Sequence, residues 1–196
     1  MITDITYFIN LLEIPNTDDN NTTINNVDKL NAFIKQYEYE YLLECFGFEQ
    51  AKDIVEKVNP DGTIKGNSPS NQKYIDLIDG VGNWKGLRYE INGHKYSQLA
   101  NYVFCKYLEL GELELTELGT LYNALEQGFK RSNKYFHNKA WRFMIKERQL
   151  TCEYYDYMYY NQNNRQTLTL QQYITESTDW DSNYFNYWEN SNQLDL

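Results

Sequence analysis

The chain has 196 residues, of which 41% are hydrophobic, and this content is enough to build a buried core. Its 28 acidic and 18 basic residues give a net charge of −10. Because a negative protein repels phosphate backbones, the charge argues against simple nucleic-acid binding. It fits a well-solvated surface, a conduit past which DNA slides, or a mimic of DNA that occupies a DNA-binding protein.

Two residue types narrow the class of protein further. Tyrosine occurs 19 times, against 9 Phe and 4 Trp, and its large apolar ring with a polar tip suits contact surfaces. The cysteines, Cys45, Cys105 and Cys152, are far apart and predict reduced core thiols, not a disulfide framework or a zinc site. The first residues lack a basic start, and Asp4 and Asn10 interrupt their apolar run, so neither a secretory signal nor a membrane span is expected.

The first half of the chain predicts short helices separated by turns. A helix is expected over residues 4–12, followed by a polar loop after Pro15. A longer helix is expected to start near Asn26 or Asp28 and to stop at Gly47, and a shorter one is expected from Phe48 to Val58. The Pro- and Gly-containing residues 59–70 predict an exposed loop, and residues 72–78 predict a brief helix.

The centre of the chain predicts a hairpin followed by a buried helix. Two alternating runs flank Asn92 and Gly93, a pair that favours a tight turn, so residues 88–97 are expected to form a β-hairpin. Ser97 is expected to cap a helix that runs to Leu110 and is apolar on most sides, as befits the centre of a fold. After Gly111, the alternation in ELELTELGTL predicts a short strand.

The second half predicts one long helix and an aromatic tail. Residues from Ser132 to about Tyr160 have a nearly unbroken helical pattern. Its first part carries the basic stripe Lys130, Arg131, Lys134, Lys139, Arg142, Lys146 and Arg148. A solvent face and a contact with an acidic subunit explain this stripe equally well, and nucleic-acid contact is the third interpretation.

The predicted fold is therefore mainly α: a helical bundle with a long C-terminal helix and a small β-hairpin, plus an extended C-terminal tail. Residues 1–25 form a short helix and loop, residues 26–160 the helical domain, and residues 161–196 an aromatic extension whose removal should leave the domain folded. The expected core anchors are Tyr37, Tyr41, Trp84, Tyr102, Phe104 and Trp141.

No motif in the sequence predicts catalysis. His94 and His137 lie on different elements without a recognisable nucleophile beside them, and His94 is expected to be a solvated strand residue. Glu38, Glu40 and Glu44, beside Asp76 and Asp79, are poorly spaced for a cation site. Glu40 and Glu44 lie four residues apart, as on a solvated helix face. No catalytic residue, cofactor site or metal site is predicted, and the chain is expected not to be an enzyme.

Four blocks of the sequence carry a resemblance to a known family. They are LNAFIKQYEYEYLLECFGFE at 30–49, DGVGNWKGLRYE at 79–90, SQLANYVFCKYLE at 97–109 and NKAWRFM at 138–144. In these blocks the chain resembles head-to-tail connector or ring proteins of tailed phages, of the crAss-like type that infects Bacteroides-type bacteria. The blocks consist of aromatic core positions and turn glycines, so the resemblance transfers no active site.

The resemblance implies a virion structural protein, made in the host bacterial cytoplasm, that repeats as a homo-oligomer around a ring below the portal. Its implied partners are its own copies, the portal protein, and neighbouring connector or tail proteins; DNA passes the channel without sequence-specific binding, and no membrane is involved. The expected assembly interface is aromatic: Tyr154, Tyr155, Tyr157, Tyr159, Tyr160, Trp180, Tyr184, Phe185, Tyr187 and Trp188. The alternative function is an acidic DNA mimic that inhibits a host DNA-binding protein.

Overall fold

The computed structural model describes residues 1–8, 12, 24–66, 68–114, 126–149 and 167–188. The helices are α1 (Ile24–Lys57), α2 (Gln72–Asp79), α3 (Gln98–Glu114), α4 (Glu126–Arg148) and α5 (Leu170–Glu176). Strands β1 (Arg88–Ile91) and β2 (His94–Ser97) form one antiparallel hairpin, and short 3₁₀ helices occupy Ile5–Phe8, Pro69–Asn71 and Ser182–Tyr184. The expectation of a mainly helical fold with a small hairpin is confirmed.

The N-terminal residues form a short 3₁₀ helix and are held on α1 by a buried carboxylate. The 3₁₀ helix, Ile5–Phe8, lies within the range 4–12 where a short helix is expected, and residues 9–11 lie outside the described part. Glu38 on α1 is 4% exposed and accepts hydrogen bonds from the backbone N–H groups of Ile2 (3.0 Å) and Thr3 (2.6 Å). The N-terminal residues therefore cover Glu38 and bind it through their backbone.

Helix α1 starts at Ile24, before both expected starts, Asn26 and Asp28, and Gly47 interrupts it as expected. Gly47 has φ 69° and ψ 175°, a left-handed φ that glycine adopts at little cost. A Cβ atom at this position would lie 2.7 Å from Cγ of Tyr184, so the backbone also needs the space. The interruption therefore lets the C-terminal residues approach α1 closely.

The hairpin forms where the sequence predicts it. Asn92 (φ 53°) and Gly93 (φ 78°) make the turn, and the strands pair from Arg88 opposite Ser97 to Ile91 opposite His94. Ser97 ends β2 and caps α3, since its Oγ accepts a hydrogen bond from the Ala100 N–H at 3.3 Å. The turn chemistry and the serine cap are thus both confirmed.

Helix α3 lies at the centre of the fold and packs against both α1 and α4. Two clusters of buried side chains surround it, and the aromatic anchors Tyr41, Trp84, Tyr102 and Phe104 are each less than 5% exposed. Tyr37 and Trp141 are partly buried against these clusters. All six expected anchors therefore contact the core.

Two expected elements differ from the structure. Helix α3 continues through Gly111 to Glu114, so the strand expected in this stretch is wrong for residues 112–114, and residues 115–121 lie outside the described part. A glycine inside a helix costs only about 1 kcal/mol, which neighbouring turns can offset. Helix α4 begins at Glu126, six residues before Ser132; it ends at Arg148, and the expected continuation over residues 150–160 lies outside the described part.

The described part of the expected C-terminal extension, residues 167–188, packs on the helices. Thr169 caps α5, because its Oγ1 accepts a hydrogen bond from the Gln172 N–H while the Gln172 side chain accepts one from the Thr169 N–H. Helix α5 buries Leu170, Tyr173 and Ile174 in the main core cluster. These side chains, together with Trp180 and Phe185, belong to the same core as α1 and α3.

Candidate functional site: the aromatic C-terminal segment

The C-terminal segment (residues 180–188) contains five of the ten residues expected to form an assembly interface. The other five, Tyr154, Tyr155, Tyr157, Tyr159 and Tyr160, lie outside the described residues. Within the segment, the aromatic side chains divide into an inward and an outward set. Trp180 (5% exposed), Phe185 (8%) and the half-buried Trp188 point inward, whereas Tyr184 (54%) and Tyr187 (68%) are exposed.

The inward set is held by aromatic contacts with distant parts of the chain. The Trp188 ring stacks on Tyr102 (centroids 5.2 Å apart) and on Trp141 (5.6 Å), and meets Tyr41 edge-on at 5.6 Å. Each such pair contributes about 0.5–1.5 kcal/mol beyond the area it buries. Trp188 therefore joins α1, α3 and α4 at a single point.

Trp180 makes a second set of aromatic contacts at the start of the segment. Its ring meets Phe46 edge-on at 5.3 Å and Tyr74 at 5.8 Å, and the ammonium of Lys73 lies 4.9 Å from its centroid. Its neighbour Asp181 donates its backbone N–H to Oε1 of Gln50 at 3.1 Å. These contacts fix the start of the segment to α1 and α2.

A buried arginine lies under the end of the segment. Arg148 is fully buried, and its guanidinium carbon lies 3.8 Å from the Trp188 centroid and 4.6 Å from that of Phe185. Its Nη1 donates to Sγ of Cys45 at 2.7 Å, and its Nη2 donates to the backbone carbonyl of Asn186. Its Nε has no hydrogen-bond partner among the described residues.

The expected solvent or subunit role of Arg148 is therefore wrong. The basic stripe divides: Lys139, Arg142 and Lys146 are exposed, Lys134 is half-buried, and Arg148 lies in the core. The side chains of Lys130 and Arg131 lie outside the described part. The sequence does contain a signal for the burial of Arg148, because this residue falls four residues after Met144 on the same apolar helix face.

Backbone hydrogen bonds complete the attachment. The Asn186 N–H donates to the carbonyl of Glu44 at 3.0 Å, and the Asn186 side-chain amide donates to Oε2 of Glu44 at 2.7 Å. The Gln149 side chain accepts from the Trp188 N–H at 2.9 Å and donates to the Trp188 carbonyl. Hydrogen bonds at Asn186 and Trp188 therefore hold the segment in addition to its aromatic contacts.

The two described cysteines have the environment of structural thiols. Burial raises the pKa of Cys45 to about 11, although the charge of Arg148 beside it acts in the opposite direction. Burial also raises the pKa of Cys105, and its Sγ donates to the backbone carbonyl of His137 at 3.7 Å. Reactive cysteines need a stabilised thiolate, and neither position provides one.

The two histidines have different environments. His94 is exposed on β2, as expected. His137 is 2% exposed, and its Nε2 lies 3.0 Å from Oε1 of Glu109 on α3. Burial would raise the pKa of Glu109, but the hydrogen bond with His137 and the nearby Lys106 hold it below its ordinary value. This buried pair joins α3 to α4.

The described residues contain neither a candidate metal site nor a helix that could span a membrane. No three His, Cys, Asp or Glu side chains there are grouped so that they could hold a metal ion. No helix in the same part of the chain is long and apolar enough to cross a membrane.

Three comparisons with known proteins give no match. No family model, no curated protein and no solved structure matches the chain.

Proposed function

We propose that the chain is a virion structural protein without enzymatic activity: a subunit of a head-to-tail connector ring that lies below the portal, extends the DNA channel and docks the tail. Its resemblance to phage connector proteins motivates the proposal. The observation that carries it is the outer aromatic surface, which consists of Phe48, Tyr184 and Tyr187.

The outer aromatic surface is suited to contact with another protein. Tyr184 packs on Gly47, the residue before Phe48, and Tyr187 lies edge-on to Phe185 at 5.5 Å. Phe48 is 60% exposed, and both tyrosines are more than half exposed. Exposed aromatic rings are common at protein interfaces, where Tyr and Phe are enriched.

The packing behind these rings supports the same function. Trp180, Phe185 and Trp188 hold the segment in the core, so the tyrosines between them are presented on a fixed backbone. A preorganised surface loses little conformational entropy when a partner binds. We therefore assign the assembly role to the outward residues and a structural role to the inward ones.

The negative charge supports a DNA conduit more than DNA mimicry. Three carboxylates have partners within the protein: Glu38 holds the N-terminal residues, Glu40 accepts from the Tyr102 hydroxyl, and Glu109 pairs with His137. A mimic needs its acids displayed in a regular exposed row, because it competes for a site that reads phosphates. A net negative channel instead lets DNA slide past without adhering.

The test is the composition of the particles made by a phage that encodes this chain. The protein should be found in purified virions by mass spectrometry, in a fixed ratio to the portal protein. The double variant Tyr184→Ser/Tyr187→Ser should fold normally and be depleted from the particles. Ile91→Ser is the matched control, because Ile91 is similarly exposed (51%) but lies at the hairpin turn.

Absence of the protein from complete virions would overturn the proposal. If the protein is instead captured from infected cells by a basic DNA-binding protein of the host, in a salt-sensitive complex, the mimic function replaces it. Normal incorporation of the double variant would leave the ring function standing and remove the outer aromatic surface from it.

A further inference from the structure

The outer face of α4 is basic and aromatic, whereas the chain as a whole is acidic. Tyr135, Lys139, Arg142 and Lys146 fall within about 60° of arc when each helical residue advances by about 100°. All four are exposed, and they lie opposite the buried side chains of α4, such as Met144. Phe136, which is 42% exposed, borders this face. We define these five exposed residues as the outer α4 face.

The charge of α4 contrasts with that of the whole chain. Seven of the 18 basic residues and two of the 28 acidic residues lie on α4, which leaves 11 basic against 26 acidic residues elsewhere. Lys139 and Arg142 form no ion pair with a described residue. Like charges at helical spacing destabilise a helix by a few tenths of a kcal/mol per pair, so this arrangement is not explained by the stability of α4.

An acidic surface of matching character lies around Trp180. Glu176, Asp179 and Asp181 are all exposed within six residues, and none forms an ion pair with a described residue. Burial raises the pKa of the nearby Tyr173, and the charge of Asp179 acts in the same direction. We define Glu176, Asp179 and Asp181 as the acidic C-terminal face; Asp181 also caps the 3₁₀ helix Ser182–Tyr184.

We propose that the outer α4 face of one copy docks on the acidic C-terminal face of a second copy. The inference rests on the proposed ring function and names its subunit contact. Two different patches meet in such a contact, so it is heterologous, and repeated heterologous contacts close into a ring when the rotation between copies closes. Charge complementarity selects the partner, because a second copy of this chain carries a strongly acidic surface.

Aromatic and charged side chains supply different parts of the binding free energy of this contact. The exposed rings of Tyr135 and Phe136 supply apolar contact area, which neither basic nor acidic groups provide. The charges supply orientation and speed of association, and their effect is screened at high ionic strength. The contact should therefore weaken with salt without disappearing at moderate salt.

The test is a charge-swap experiment on the full chain, followed by analytical ultracentrifugation. The variant Lys139→Glu/Arg142→Glu reverses the outer α4 face, and Glu176→Lys/Asp179→Lys reverses the acidic C-terminal face. The unaltered protein should self-associate at low salt, and each variant alone should do so about tenfold or more weakly, since like charges then oppose each other. An equimolar mixture of the two variants should associate again, because each reversed face meets its complement.

Lys35→Glu/Lys52→Glu is the matched control for Lys139→Glu/Arg142→Glu, because it makes the same change in net charge at two exposed lysines of α1. It should associate like the unaltered protein. Three results would overturn the inference: an unaltered protein that stays monomeric at low salt up to its solubility limit, a mixture that fails to associate, or a control that loses association equally. Binding of duplex DNA that depends on Lys139 and Arg142 would also overturn it, in favour of a nucleic-acid contact.

These results are distinguishable from failure of the ring function. Association restored by the mixture, with no protein in virions, keeps the subunit contact and removes the connector. Protein present in virions, with charge-reversed variants incorporated normally, keeps the connector and places its subunit contact elsewhere.

Discussion

The β-hairpin and the C-terminal segment are attached to the same helical core in opposite ways. The hairpin is shaped by its own turn residues, Asn92 and Gly93, and by strands that pair with each other. The segment around Trp188 has no regular pairing and is held by side chains from α1, α3 and α4. A local structure can be specified by a few adjacent residues, whereas a long-range attachment needs every contributing element to be in place.

The largest effect should come from removal of the segment. A chain that ends at Gln166 loses the buried side chains of α5 together with Trp180 and Phe185, and leaves the Trp84 ring without its stacked partner Tyr173. We expect the loss of cooperative unfolding in urea, because several large core side chains disappear at once. A shortened chain that unfolds cooperatively at the original midpoint would show that the segment is an appendage.

Arg148→Ala should be the most damaging single substitution. It leaves a cavity between α1 and the segment and removes the donor to the Asn186 carbonyl, for a loss of about 3–5 kcal/mol in the free energy of unfolding. Arg148→Met should cost less, since a buried charge can be replaced by an apolar side chain of similar volume. Urea titrations of both variants check the order, and an Arg148→Ala variant within about 0.5 kcal/mol of the unaltered protein would contradict it.

Trp188→Ala should have a smaller effect of about 2–3 kcal/mol, because its ring is only half-buried. The matched control is Tyr187→Ala, one residue earlier, whose exposed ring should contribute less than about 0.5 kcal/mol. Thermal unfolding of the two variants separates the inward and outward sets. Equal losses in both would mean that the segment has no inward face.

Glu38 tests a second long-range attachment, that of the N-terminal residues. Burial raises the pKa of Glu38 above its ordinary value of 4.5, although the hydrogen bonds from Thr3 and Ile2 act against this. The folded state therefore binds the proton more tightly than the unfolded state, so this group favours folding below pH 4.5, and that contribution is lost as the pH rises through the folded pKa.

Glu38→Gln cannot ionise, so we expect the free energy of unfolding of this variant to improve relative to the unaltered protein as the pH rises above 4.5. Urea titrations over this range check the direction. The control Glu90→Gln changes an exposed carboxylate on β1 and should follow the unaltered protein. A constant difference between Glu38→Gln and the unaltered protein would exclude a raised pKa.

The smallest effect should come from the local structure. Gly93→Ala places a Cβ at φ 78° with no other atom within 4 Å, so the cost is the backbone strain alone, about 1 kcal/mol. Gly80→Ala is the informative contrast, because its Cβ would lie 2.6 Å from backbone atoms of Trp84 and Lys85. If Gly93→Ala proves the more harmful of the two in urea, the hairpin is not an independent local structure.

The difference between the hairpin and the C-terminal segment explains which features could be predicted from the sequence. The hairpin, the Ser97 cap and the interruption at Gly47 depend on nearby residues, so short motifs were sufficient. The inward course of residues 180–188 depends on Tyr41, Tyr102 and Trp141, and no local pattern in the tail distinguishes Trp188 from Tyr187. Aromatic content indicated contact surfaces in general, but only the structure separates those made within the chain from those left exposed.

The central claim, that the C-terminal segment and α5 belong to the folded core, is most directly tested by hydrogen exchange of backbone amides. A seven-residue helix such as α5 is unstable alone in water, so protection of its amides requires the tertiary contacts of Leu170, Tyr173 and Ile174. We predict protection in α5 close to that of the central helix α3. Exchange in α5 at the rate of an unfolded peptide, while α3 stays protected, would contradict the claim.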